Sequence, residues 1–247
     1  MLLTLSARYR RGGQLHTESL TVSTAATALL LVDVYYTDQR RGDWGKPAET
    51  LTGSLRQMEE HIACALAAAR SAGLPVVYAM NSAPRIGLQH SAFGAHFARC
   101  WSTNGAIDTF NRTFAEGGLD PREYHGGPPS TLKIPLRLAV EEKDLYVRKH
   151  VYSAFFDSRL DTALRNLGIQ TLLCAGLWAN VCMAATALDA LYRNYRVLWL
   201  RDGTLAGEAP EDVDANTARW VFWFEETIGY TVTAAEFAAA CRRAVHS

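Results

Sequence analysis

An α/β fold with a mostly parallel sheet layered between helices is predicted by two observations. Short apolar runs rich in β-formers alternate with longer helical patterns. The chain, at 247 residues and 49% hydrophobic content, is long enough for one large domain with a substantial core. The elements follow in order. An opening hairpin covers Leu2 to Tyr9 and Leu15 to Val22 around Gly12-Gly13. The first buried strand, Ala28 to Val32, ends at Asp33. A helix from about Leu51 to Ala72 closes at Gly73, which suits a left-handed C-terminal cap, and Pro75 opens the strand Val76 to Met80, followed by Asn81. Residues 82–143 are rich in Gly, Pro, Asn and Trp with weak helical patches, and a stretch of that length reads as a lid or binding insertion. Regularity returns with the strand Asp144 to Arg148 before Lys149, a helix Ser158 to Leu167 capped by Gly168, and the strand Thr171 to Ala175. A helix follows Val181. The last strong strand, Val197 to Arg201, ends at Asp202, and helices fill Glu211 to Thr227 and Ala234 to Val245. With no internal repeat or linker, residues 1–247 are expected to form a single domain.

Composition narrows the partners. The 25 basic and 25 acidic residues cancel, so no global charge attracts nucleic acid or an anionic membrane, and the expected partner is a small molecule. No apolar stretch approaches the roughly 20 residues of a membrane span, and Met1 to Leu5 lacks a preceding basic region, so the chain reads as cytoplasmic. Five cysteines without regular spacing read as reduced thiols.

In an open parallel sheet, active sites lie beyond the carboxyl ends of the strands. That rule selects Asp33, Asn81, Lys149, the loop leading to Cys182, and Asp202. Cys182 stands where the strand Thr171 to Gly176 passes through Leu177-Trp178-Ala179-Asn180-Val181 into a helix. A helix's first turn favours thiolate and can lower a cysteine below its free pKa of about 8.5. Each residue also has a structural reading. The aspartates suit helix caps or loop hydrogen bonds, Lys149 a solvated surface, Asn81 a turn, and Cys182 a small buried apolar position.

Three segments carry a family resemblance: Lys149-His150-Val151-Tyr152-Ser153-Ala154-Phe155-Phe156, Gly176-Leu177-Trp178-Ala179-Asn180-Val181-Cys182, and Tyr195-Arg196-Val197 with Asp202. With Asp33 they resemble the isochorismatase-like cysteine hydrolases, most closely the ureidoacrylate amidohydrolase branch. The resemblance implies a Rossmann-like three-layer α/β/α sandwich. It also implies a catalytic triad of Asp33, Lys149 and Cys182, and an oxyanion hole from the backbone N–H groups of Trp178 and Cys182, with a cis peptide at Leu177-Trp178. Asn81 and Tyr152 fall at substrate-binding positions. The implied reaction is hydrolysis of a C–N bond in a small ureido, N-carbamoyl or carboxamide compound through a thioester, with no cofactor, in a homodimer or homotetramer. In that chemistry Lys149 would hold Asp33 and favour the thiolate. The alternatives are vinyl-ether hydrolysis of the isochorismatase type, which needs the aspartate but no thiol, and a non-catalytic binding protein on the same fold.

The chain also departs from the family pattern. Asp33-Val34-Tyr35-Tyr36 stands where relatives often carry Gln two residues after the aspartate, which places Tyr35 in the expected pocket. Ser82-Ala83-Pro84 replaces a Gly-Trp pair. Trp178 replaces a small residue, and either stacks on a planar substrate or packs against the insertion. Arg85, Arg99 and Arg112 are candidates to pair with a substrate carboxylate or are surface residues. His90 and His96 occur without the Asp-x-His motif of metal-dependent relatives, so no metal is expected. Phosphate loops and a Gly-x-Ser-x-Gly elbow are absent from the sequence. Trp220-Val221-Phe222-Trp223-Phe224 is apolar all round, which suits either a contact between subunits or full burial within one.

Overall fold

The computed structural model describes residues 1–34, 49–81, 92, 96, 134–149, 151–207 and 212–245; the side chains of 49–52 and 81 lie outside that description. Its strands are β1 Leu2–Arg11, β2 Gln14–Ser23, β3 Thr27–Val32, β4 Val76–Asn81, β5 Leu145–Lys149, β6 Thr171–Leu177, β7 Arg196–Leu205 and β8 Tyr230–Val232. The helices are α1 Glu49–Ser71, α2 Leu160–Asn166, α3 Ala184–Tyr192, α4 Val213–Thr227 and α5 Ala234–Val245. The strands form one sheet in the order β2-β1-β8-β7-β6-β3-β4-β5. From β8 to β5 every neighbouring pair is parallel, and the hairpin β1-β2 joins antiparallel at the β8 edge.

Both faces of the parallel sheet are covered, which explains why the central strands read as unbroken apolar runs. Strand period sends Leu29 and Leu31 of β3 to one face, where they meet Leu55, Met58, Ile62 and Leu66 of α1 and Phe237 of α5. Ala28, Leu30 and Val32 go to the other, against Leu160 and Leu164 of α2, Ala187 of α3 and Phe224 of α4. Each fully buried Leu of this kind contributes about 1.5–3 kcal/mol. The hairpin edge is fastened by Glu225. Its buried carboxylate accepts from Arg8 Nε (2.6 Å), Arg10 Nε (3.1 Å) and Thr231 Oγ1 (2.6 Å), so β1, β8 and α4 are held at one point.

Several boundaries differ from the sequence reading. β8 was not anticipated: three residues carry too little apolar pattern to stand out. β7 does not end at Arg201 but continues to Leu205, because its register against β6 shifts between Cys174 and Gly176 and pairing resumes at Gly176 with Thr204. Residues 134–143, expected within the insertion, pack on the sheet edge. Tyr78 Oη donates to Leu138 O (2.8 Å), and Arg70 pairs with Glu141 (2.8 Å) and Asp144. The rest of that insertion, apart from residues 92 and 96, lies outside the described residues. In α4, Val221 and Phe224 are buried and Trp220 and Trp223 half-buried, while Phe222 faces outward under the Arg10 guanidinium (4.5 Å from the ring centre). Much of the aromatic run therefore packs on its own sheet. Among the described residues no helix is long and apolar enough to cross a membrane.

Burial also sets an alkaline limit. Cys174 lies wholly inside β6, and desolvation raises its pKa from 9.0 to about 12. Above the lower value the unfolded chain releases this proton while the folded one keeps it, so folding stability falls as pH rises through that window. At 1.36 kcal/mol per pH unit the loss is capped at about 4 kcal/mol. Chemical denaturation between pH 8 and 10.5 is expected to show a falling midpoint, with a shallower fall in Cys174→Ala.

Candidate active site

The chain order of the strands creates a crevice. From β3 the chain moves outward through β4 and β5, then returns to the other side of β3 to build β6, β7 and β8. The carboxyl ends of β3 and β6 therefore form the point where strand order reverses, which is where ligands bind in such sheets. Asp33 follows β3 directly, with its N–H donating to Ala79 O of β4 (3.0 Å). Its φ of 52° lies in the left-handed region, which Asp tolerates better than most residues. Lys149 is the last residue of β5, in register with Asn81 of β4. Beyond β6 the chain crosses a cis Leu177–Trp178 peptide and enters a π-helical turn, Ala179–Met183, that carries Cys182 into α3. Single π turns of this kind are frequent at functional sites. At Gly176 the sheet leaves no room for a side chain, since a Cβ would fall 1.8 Å from Val32 O. β6 and β3 thus approach closely beside Asp33.

Three side chains from three elements meet there. Lys149 Nζ lies 2.6 Å from Asp33 Oδ2 and donates to Cys182 Sγ (3.3 Å) and Val151 O (3.3 Å). One ammonium thus has an acceptor within reach for each of its three N–H bonds. Sγ of Cys182 and the Asp33 carboxylate are gathered at one ammonium. All three are buried, with Lys149 at 0%, Asp33 at 2% and Cys182 at 6% exposure. A surface role for Lys149 is thereby removed.

Burial pulls the Lys149 pKa down, but Asp33 and then Cys182 pull it up further, so the ammonium is held charged. For Cys182 the balance opposes the sequence expectation. Burial pushes the thiol up, Lys149 pulls it down and Asp33 pushes it up again, leaving it at about 12 instead of below its ordinary value. Desolvation and an adjacent carboxylate here outweigh the one ammonium. At neutral pH Sγ rests as a thiol beside a carboxylate, an arrangement suited to transferring the proton at the moment of attack.

The remaining expected site residues are distributed unevenly. Asn81 ends β4 next to Lys149, while its side chain, and the whole of Tyr35, lie outside the described residues, as do Arg85, Arg99, Arg112 and His90. Tyr152 is half-buried and directly follows Val151, whose carbonyl accepts from Lys149, in a loop held by Ala154 N–H donating to Thr186 Oγ1 (3.1 Å) and by a Ser153–Asp189 contact. Trp178 is half-buried against the α1 face of the core. Asp202 is not in the cluster. Its carboxylate accepts from Ala234 N–H (3.0 Å) and caps α5, since β7 continues past it. Among the described residues no group of three His, Cys, Asp or Glu side chains is placed to hold a metal ion. The loop-holding pair Thr186 and Asp189 was missed in the sequence, although two polar residues three apart on the apolar helix AATALDALY were the available signal.

Comparison with known proteins bears on this geometry. The isochorismatase domain family matches residues 27–235. A ureidoacrylate amidohydrolase, RutB, of Azorhizobium caulinodans is 27% identical over 230 residues, covering 90% of this chain and 93% of the relative. RutB of Klebsiella variicola is 27% identical over 194 residues, 76% of each chain. Among solved structures, a cysteine hydrolase from Pseudomonas syringae superposes with a TM-score of 0.70 at 21% identity, covering 90% of this chain and 95% of the other. The N-carbamoylsarcosine amidase of Thermoplasma acidophilum gives 0.57 at 23%, covering 84% and 96%.

Proposed function

The chain belongs to the isochorismatase family of hydrolases, and from that premise we propose that it is a cysteine amidohydrolase acting without a metal ion on a small ureido, N-carbamoyl or carboxamide compound. The observation that carries the proposal is the buried contact of Lys149 with both Asp33 and Cys182 at the strand-order reversal. The names of the relatives point the same way, since ureidoacrylate amidohydrolase and N-carbamoylsarcosine amidase both act on a C–N bond beside a carbonyl.

In this reading Asp33 takes the proton from Sγ as sulfur attacks the carbonyl carbon. The C=O pair moves onto oxygen, and the backbone N–H groups of Trp178 and Cys182 receive the oxyanion. When the pair returns, the C–N bond breaks and Asp33 delivers its proton to the departing nitrogen, leaving a thioester. Water then attacks, Asp33 accepts its proton, and the released thiolate is reprotonated. Lys149 stays charged throughout and stabilises the sulfur as it gains and sheds negative charge. Asn81, Tyr35, Tyr152 and Trp178 hold the substrate. Vinyl-ether hydrolysis would leave the Cys182 thiol, which accepts from Lys149, without a role.

The proposal is tested by ammonia or amine release from a panel of N-carbamoyl, ureido and primary amide compounds, with and without a chelator. Turnover that persists under chelation is expected. Turnover abolished by chelation and restored by a divalent ion would overturn the metal-independent reading.

A further inference from the structure

We infer that Asn180 is a positioning residue for the nucleophile turn, acting through Gly207 and Trp178; the inference rests on the amidohydrolase reading for its effect on turnover. The end of β7 and the residues that follow it run as a strap beside the end of β6 and the turn that bears Cys182. Three bonds fasten it. Thr204 Oγ1 donates to Gly176 O (2.8 Å), Ala206 N–H to Thr217 Oγ1 of α4 (2.9 Å), and Gly207 N–H to Asn180 Oδ1 (2.8 Å). Gly207 also lies flat against the Trp178 indole, where a Cβ would fall 2.7 Å from Cγ and 2.8 Å from Cδ2. Residues 178 and 180, which flank the buried Ala179, therefore both end on the same glycine.

That convergence, with the neighbouring Ala206 bond, adds a link from the nucleophile turn to α4 through two adjacent strap residues. The turn and the Trp178 that caps it carry the attacking Sγ and the two N–H groups assigned to the oxyanion, and small displacements of such groups reduce rate steeply. Asn180 supplies the side-chain acceptor for the Gly207 N–H, and the absence of a side chain at Gly207 lets the indole close on it. A loosened turn has two effects of opposite sign. Turnover falls because Sγ and the N–H groups no longer keep register, while the sulfur of a residue that is now buried becomes easier for a reagent to reach.

The test uses the full chain with Asn180→Ala, Asn180→Asp and Gly207→Ala, and Trp178→Ala alone and combined with Gly207→Ala. Two readouts are taken: kcat and KM on a panel compound, and the rate of Cys182 alkylation by iodoacetamide, which needs no substrate. Asn180→Ala is expected to lower kcat about tenfold with KM changed less than about twofold, and to speed alkylation at an unfolding midpoint close to wild type. Asn180→Asp, which keeps an acceptor oxygen, recovers most of both. Gly207→Ala mimics Asn180→Ala, and its effect shrinks in the Trp178→Ala background because the clash is gone. Wild-type kcat and alkylation in Asn180→Ala would overturn the inference, as would equal losses in the Ala and Asp variants. If no panel compound is turned over, the amidohydrolase reading fails while the alkylation series still decides the role of Asn180.

Discussion

Replacing Cys182 with alanine is expected to lower kcat by at least about a thousandfold on any amide the protein cleaves, or ~4 kcal/mol of transition-state stabilisation. The fold should survive, because the substitution leaves the Lys149–Asp33 pair in place and removes a thiol whose burial already holds it near a pKa of about 12. Steady-state kinetics together with a thermal unfolding midpoint separate the two effects. Cys182→Ser is expected to behave similarly, since a hydroxyl in the same buried position is a weaker nucleophile still harder to deprotonate.

The second large effect falls on Lys149. With the side chain wholly buried, Lys149→Met strips Asp33 of its cationic partner and leaves an uncompensated carboxylate in the core, a change that costs about 3–5 kcal/mol of stability. Activity is lost as well, because nothing then offsets the negative charge on Sγ. The double variant Asp33→Asn/Lys149→Met leaves no charge from this pair in the core and retains a residue that tolerates the positive φ at 33. It is therefore expected to regain most of the unfolding free energy in urea denaturation while remaining inactive. Recovery of stability without activity distinguishes a chemical role for the pair from a purely structural one.

The sheet was legible in the sequence where burial on both faces imposed a simple pattern. Ala28 to Val32 and Leu172 to Ala175 are apolar at every position because α1 and α5 cover one side and α2, α3 and α4 the other. The candidate cluster was legible for a related reason: parallel strands deliver their terminal residues to one edge, so Asp33, Lys149 and the loop to Cys182 met once the strands were recognised. Asp202 was misplaced because the apolar run stops at Arg201, whereas hydrogen bonding resumes after the shift against β6 and carries the strand to Leu205. A hydrophobic pattern cannot report pairing that continues through polar residues. The direction of the Cys182 pKa was misread because position on a helix start is visible in sequence and depth of burial is not. Gly207 offered no signal at all, since a glycine required by an indole packed against it looks like any loop glycine.

Sulfur as the attacking atom is tested most directly by acid-quenching the protein during turnover of a panel amide and weighing it intact, with peptide mapping of any gain. The predicted result is a mass increase equal to the acyl or carbamoyl group, confined to the peptide containing Cys182 and absent from Cys182→Ala. Turnover by Cys182→Ala at the wild-type rate, with no added mass on either protein, would contradict it.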